Sequence, residues 1–146
     1  MLSTFRTLMI GSNARADEKR RDTYAIELID QKIREANAGL KAAKATLASL
    51  IQPQRGEQAM LGTLTSRIDD MTRRARQAIE AGRDDLANEA ATTIASMENE
   101  QALRRTTIDR LDVKVIRLRA SVESGSRSIL ELKQGAAMAR AVRSEQ

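Results

Sequence analysis

From Ile26 onward the apolar residues keep a three-four rhythm. One set is Ile26, Ile33, Leu40, Leu47, Gln54, Leu61, Ile68 and Ala75. The other is Ile29, Ala36, Ala43, Leu50, Glu57, Leu64, Met71 and Ala78. Fourteen of these 16 positions are apolar, and the spacing never slips. That predicts a long coiled-coil helix. At 1.5 Å per residue it would run roughly 80 Å. The two exceptions, Gln54 and Glu57, flank Gln52-Pro53-Gln54-Arg55-Gly56. Proline in a helix interior costs about 3 kcal/mol and kinks it, so a loop is one reading of this segment. The phase before Pro53 nevertheless predicts the phase after Gly56, which a loop would not preserve. A kinked, continuous helix is therefore expected.

Ala81-Gly82-Arg83-Asp84-Asp85 reads as a stop and restart. Gly82 suits the left-handed position that ends a helix. Asp84 and Asp85 are expected to supply an N-cap and favourable charge to the next helix. A second seam follows: Ala87, Ala90, Ile94, Met97, Gln101, Arg104, Ile108, Leu111, then Val115, Leu118, Val122, Gly125, Ile129, Leu132, Ala136 and Ala139. Two helices of matched length joined by a tight turn make an antiparallel hairpin. With the turn centred on Gly82, facing residue numbers should sum to about twice that position, which sets Gly39 against Gly125. The expected fold is all-α. Residues 1–22 form an amphipathic segment and 23–143 the hairpin, with helices over about 24–80 and 85–142 and a turn at about 81–84. The second helix also carries apolar residues off its seam, among them Leu103, Val113, Ile116 and Leu130. A bare hairpin would expose them, so they are the candidate self-association face.

The first 22 residues break the rhythm. Leu2, Phe5, Leu8 and Met9 can share one helical face, with Arg6 and Arg15 expected off it. Gly11-Ser12-Asn13 should interrupt a strong helix, and the charged stretch Arg15-Ala16-Asp17-Glu18-Lys19-Arg20-Arg21-Asp22 follows. The whole reads as a short, conditional amphipathic segment. Leu8-Met9-Ile10 is too short for the core of a signal peptide. No window approaches the ~18 uncharged apolar residues of a spanning helix, so a soluble chain is expected.

Composition narrows the chemistry. The chain has 146 residues, 25 Lys plus Arg against 20 Asp plus Glu, and neither His nor Cys. Without imidazole or thiol there is no zinc, haem or iron–sulfur ligand set and no thiol or imidazole catalysis. Asp69-Asp70 and Asp84-Asp85 are sequence neighbours that converge on no pocket, and no glycine run resembles a phosphate loop. No enzyme activity, cofactor or metal is expected. The net charge of +5 permits anionic partners. Acids interleave the arginines and Phe5 and Tyr24 are the sole aromatics, so base stacking is not expected and nucleic acid is disfavoured as a partner.

Ala75-Arg-Gln-Ala-Ile-Glu-Ala-Gly-Arg-Asp-Asp-Leu-Ala-Asn-Glu-Ala-Ala91 resembles the hairpin turn of the phage shock protein A family. That family includes the plastid vesicle-inducing proteins and belongs to the ESCRT-III-like membrane-remodelling superfamily. The matching positions are Ala75, Ala78, Ile79, Arg83, Asp84, Asp85, Leu86, Ala87 and Ala90. The stretch from Ile29 to Leu47 is similar to the start of the family's first long helix. The segment around Phe5 stands where the family carries its membrane-inserting helix. Two departures stand out. Asp22-Thr23-Tyr24 lacks the proline often found there, and the chain ends at Gln146 where members usually continue with further helices. It therefore reads as a truncated or a minimal member. The resemblance implies a non-enzymatic, homo-oligomeric, peripheral membrane protein of the envelope-stress type, at the cytoplasmic face of the inner membrane. Leu2, Phe5, Arg6, Leu8 and Met9 would meet anionic phospholipid. The alternative is a soluble coiled-coil adaptor that binds a protein partner, such as an AAA-type transcriptional activator ATPase or another transcriptional regulator.

Overall fold

The computed structural model describes residues 2–145, with all their side chains except that of Phe5. Two helices account for nearly all of it: α1 (Leu2–Glu80, 79 residues) and α2 (Asp84–Glu145, 62 residues). They pack against each other as a hairpin, with no strand among the described residues. Pro53 lies inside α1, which continues through it as its heptad phase requires. All 32 seam positions of the two helices are buried or half-buried.

Helix α1 starts at Leu2 and not near residue 24, and it passes unbroken through Gly11-Ser12-Asn13. The reason is energetic. An exposed glycine costs a helix only about 1 kcal/mol relative to alanine. The hydroxyls of Thr7 and Ser12 donate to the carbonyls of Ser3 (2.8 Å) and Met9 (3.0 Å), so they bond back along the helix instead of capping a break.

The turn is a Schellman closure. Arg83 N–H donates to Ala78 C=O at 2.8 Å and Gly82 N–H to Ile79 C=O at 3.0 Å. Gly82 sits at φ +71°, the left-handed region that glycine enters without a Cβ penalty. The N-cap of α2 is Arg83, whose carbonyl accepts the first helical bond from Ala87 at 3.1 Å. Asp84 and Asp85 therefore belong to the first turn and are not the cap. They still answer the positive end of the helix dipole.

The chain divides into two compact units. Lys44–Ala120 contains the turn; its most buried residues are Leu64, Ile108 and Val115. This unit also holds all four polar seam residues, and each finds a partner across the hairpin. Gln54 donates to Asp112 (2.7 Å), Arg104 to Glu57 (3.0 Å) and Gln101 to Thr65 (2.9 Å). A polar group at a coiled-coil core position is stable only when matched, and matching favours one register.

The other unit joins Met1–Ala43 to Ser121–Gln146, with Ile26, Ile129 and Ala136 at its core. Gly125 does not meet Gly39. A Cβ built on Gly125 would sit 3.5 Å from Leu40 Cδ1, whereas one on Gly39 meets nothing within 4 Å. The reason is register: Leu40 is a core position and Gly39 lies beside it, facing out. Arg140 grips both carboxylate oxygens of Asp30 at 2.6 and 2.7 Å.

Candidate functional site

Two surfaces carry the residues singled out by the sequence. The first is the start of α1. Burial begins only at Asp22 and Thr23; every residue with a described side chain from 2 to 21 is exposed. Leu2 is 90% exposed, Leu8 69%, Met9 56% and Ile10 62%. No part of the hairpin covers them. Phe5 lies on this helix, but its side chain is outside the described residues.

Arg6 stands at the edge of the apolar arc, about 40° beyond Leu2. With Leu2, Thr7, Met9, Ile10 and Asn13 it lines one shallow hollow along the helix. At 100° per residue, Arg6 falls between Leu2 and Ile10, so continuous helix from Leu2 forces it there. Ile10 joins this face as well. The early cluster Leu8-Met9-Ile10 was its signal, and only the unbroken helix assigns Ile10 a direction. Further along, Arg15, Lys19, Arg20 and Arg21 are exposed and form no ion pair. The arrangement offers apolar insertion with adjacent cationic side chains and no group suited to bond chemistry.

The second surface is the outside of α2, where Leu103, Val113, Ile116 and Leu130 are all exposed. They lie along one side of the helix. Counting heptads from Ala87 as position a, Ile116 and Leu130 fall at b and Val113 at f, which adjoin. Leu103 falls at c, which adjoins f, so the four span about 100° of the helix surface. The residues at the turn hold it closed. The Arg83 guanidinium donates twice to the Asp85 carboxylate at 3.2 Å. That contact, followed by the Leu86 backbone N–H, holds the Asp85 carboxyl below the ordinary aspartate range.

The most polar point of the seam is Arg104. It pairs with Glu100 (2.9 Å) and Glu57 (3.0 Å) and reaches Met60 Sδ at 3.1 Å. Glu100 first and then Glu57 raise its pKa further above the usual guanidinium value. These contacts are saturated within the hairpin and hold nothing else. Among the described residues, no group of three or more acidic side chains could hold a metal ion, and no helix is long and apolar enough to cross a membrane.

Set against curated proteins and against solved structures, the chain finds no match. Set against family models, it matches that of the PspA/IM30 family over residues 1–146, the full length. The model spans the exposed start of α1, both heptad seams and the acidic turn between them, and on that match the chain belongs to the PspA/IM30 family.

Proposed function

We propose that this chain is a non-enzymatic, peripheral membrane protein that meets anionic lipid through the start of α1 and self-assembles through its hairpins. It would bind, protect or remodel the inner membrane in the manner of an envelope-stress protein, from the cytoplasmic face. The family as a whole self-assembles and binds membranes. The observation that carries the reading for this chain is the uncovered apolar face of residues 2–10, where Leu2 reaches 90% exposure on a helix that nothing in the hairpin shields.

Full burial of a side chain such as Leu2, Leu8, Met9 or Ile10 yields at best about 1.5–3 kcal/mol. Each nearby Lys or Arg adds about 1 kcal/mol at an anionic surface, less in salt. A single copy thus holds on weakly, and firm attachment comes from many copies on one assembly. Leu2, Phe5, Leu8, Met9 and Ile10 are the inserting side chains in this reading. Arg6, Arg15, Lys19, Arg20 and Arg21 supply the attraction to headgroups.

Liposome co-sedimentation tests this with the intact chain, a deletion of residues 1–22, and Phe5→Asp. The intact chain should pellet with anionic liposomes and less with neutral ones. The deletion should lose that binding, and Phe5→Asp most of it. If the deletion pellets as well as the intact chain, the start of α1 is not the membrane contact and the soluble adaptor becomes the better reading.

A further inference from the structure

The chain has six methionines and no cysteine, so the thioether is the sulfur chemistry open to it. Met1 lies outside the described residues, and the other five sit in unlike surroundings. Met71 and Met97 are half-buried at seam positions. Met138 is 70% exposed near the end of α2. Met9 and Met60 are nearly matched, at 56% and 52% exposure, yet their sulfurs differ. Arg104 Nη1 donates to Met60 Sδ at 3.1 Å, so a guanidinium occupies one lone pair of that sulfur. Among the described residues, no other sulfur accepts a hydrogen bond.

That difference bears on oxidation. A thioether is oxidised when a sulfur lone pair attacks one oxygen of hydrogen peroxide. The O–O bond breaks and an S–O bond forms. Sulfur loses two electrons, and the proton on the transferred oxygen passes to the departing hydroxide, which leaves as water. Positive charge builds on sulfur along the way. At Met60 the Arg104 guanidinium opposes that charge and blocks one lone pair. At Met9 no such contact stands in the way. Oxidation of Met9 also leaves the hairpin alone, because every residue with a described side chain from 2 to 21 is exposed. Oxidation of Met71 or Met97 would instead put a polar group into the seam.

We propose that Met9, in preference to Met60, is a reversible oxidation site through which hydrogen peroxide weakens the membrane contact. The inference rests on the membrane reading of the start of α1 and names a means of regulating it. Met9 lies on the hollow that Leu2, Arg6, Thr7, Ile10 and Asn13 also line. Its sulfoxide changes that hollow in two ways. The apolar thioether becomes a strong dipole that must be stripped of water on insertion. The new oxygen is also a strong acceptor set between two donors. Arg6 lies three residues before it and Asn13 four after, both on the same side of the helix. A guanidinium bonded to that oxygen is drawn away from a headgroup phosphate. Losing the burial of one methionine alone lowers binding per copy by about tenfold or more. Many copies on one assembly compound the loss.

The test treats the full-length chain with dilute hydrogen peroxide and follows each methionine by peptide mass mapping. Met9 should convert ahead of Met60. Co-sedimentation with anionic liposomes should weaken about tenfold or more as Met9 converts, with far-UV circular dichroism unchanged. Methionine sulfoxide reductases, one for each epimer at sulfur, should restore it. Met9→Leu is compared with itself before and after peroxide and should keep its own level of binding. Met60→Leu combined with Met138→Leu should lose binding as the parent does. A peroxide loss that persists in Met9→Leu overturns the proposal and places the effect on another methionine. Conversion of Met9 with binding unchanged overturns it, and so does conversion of Met60 ahead of Met9. A loss that the reductases do not reverse overturns it as well. If the untreated parent does not pellet with anionic liposomes, the membrane reading itself fails and this inference falls with it.

Discussion

The same substitution, glycine to alanine, should have opposite signs at Gly125 and Gly82. At Gly125 the backbone is ordinary helix and the new methyl would lie 3.5 Å from Leu40 Cδ1, a normal van der Waals contact. Alanine is favoured over glycine in a helix interior by about 1 kcal/mol. A half-buried methyl adds about 0.4 kcal/mol, half of the value for a fully buried CH₂. Gly125→Ala should therefore stabilise by about 1–1.5 kcal/mol. At Gly82 nothing crowds the added methyl, yet φ is +71°. An L residue there costs about 1–2 kcal/mol. The stiffer unfolded chain returns about 0.4–1 kcal/mol of it. Gly82→Ala should destabilise by about 1 kcal/mol. The two variants should therefore differ by about 2 kcal/mol, near 6 °C in melting midpoint for a chain of this size. The assay is urea and thermal unfolding followed by far-UV circular dichroism, at one fixed concentration for all three proteins. If Gly125→Ala destabilises, the Leu40 contact is tighter than described. If Gly82→Ala stabilises, the turn does not hold glycine in the left-handed region, and the hairpin closure is wrong.

The Arg104–Glu57 pair should behave non-additively: Arg104→Met alone, which strands the half-buried Glu57, should lower the unfolding midpoint more than Arg104→Met combined with Glu57→Met. Equal losses in the single and double variants, measured by urea unfolding, would count against the cross-helix contact. Asp85 should impose an acid dependence on the turn. Its folded pKa lies below the ordinary 3.8, so the contribution of the ionised carboxylate is full above that value and fades as pH falls through the folded one. Asp85→Asn should flatten the fall in unfolding midpoint between about pH 5 and pH 2 relative to the parent.

The seam was fully legible in the sequence because its signal is redundant. A three-four rhythm repeated over many heptads survives isolated exceptions, so the phase carried across Pro53 outweighed the local preference of proline to break a helix. The exceptions themselves were only half legible. Gln54, Glu57, Gln101 and Arg104 stand out as polar residues at core positions, and the antiparallel arithmetic sets the two groups at similar heights. Their partners Thr65 and Asp112 sit at e, just off the seam, where polar residues are ordinary and send no signal. Gly39 shows the same limit from the other side. Facing numbers that sum to about a constant locate a neighbour to within a turn, whereas choosing Leu40 over Gly39 needs the actual rotation of the helix.

The start of α1 is less legible in the sequence, and for a different reason. Gly11, Ser12 and Asn13 each favour turns, and summed as local propensities they predict an interruption. The structure continues the helix, and continuity changes what the segment presents. A broken helix would leave the direction of Ile10 undefined and let Arg6 swing clear of the apolar residues. An unbroken one fixes Arg6 between Leu2 and Ile10, inside the hollow that those residues line. An arginine there need not oppose insertion. Its aliphatic stem can lie along Leu2 and Ile10 while the guanidinium reaches outward to a phosphate. Arg6 then contributes apolar contact and headgroup attraction from one side chain, a combination that Lys19, Arg20 and Arg21 cannot make, because no large apolar residue lies within a helical turn on their N-terminal side.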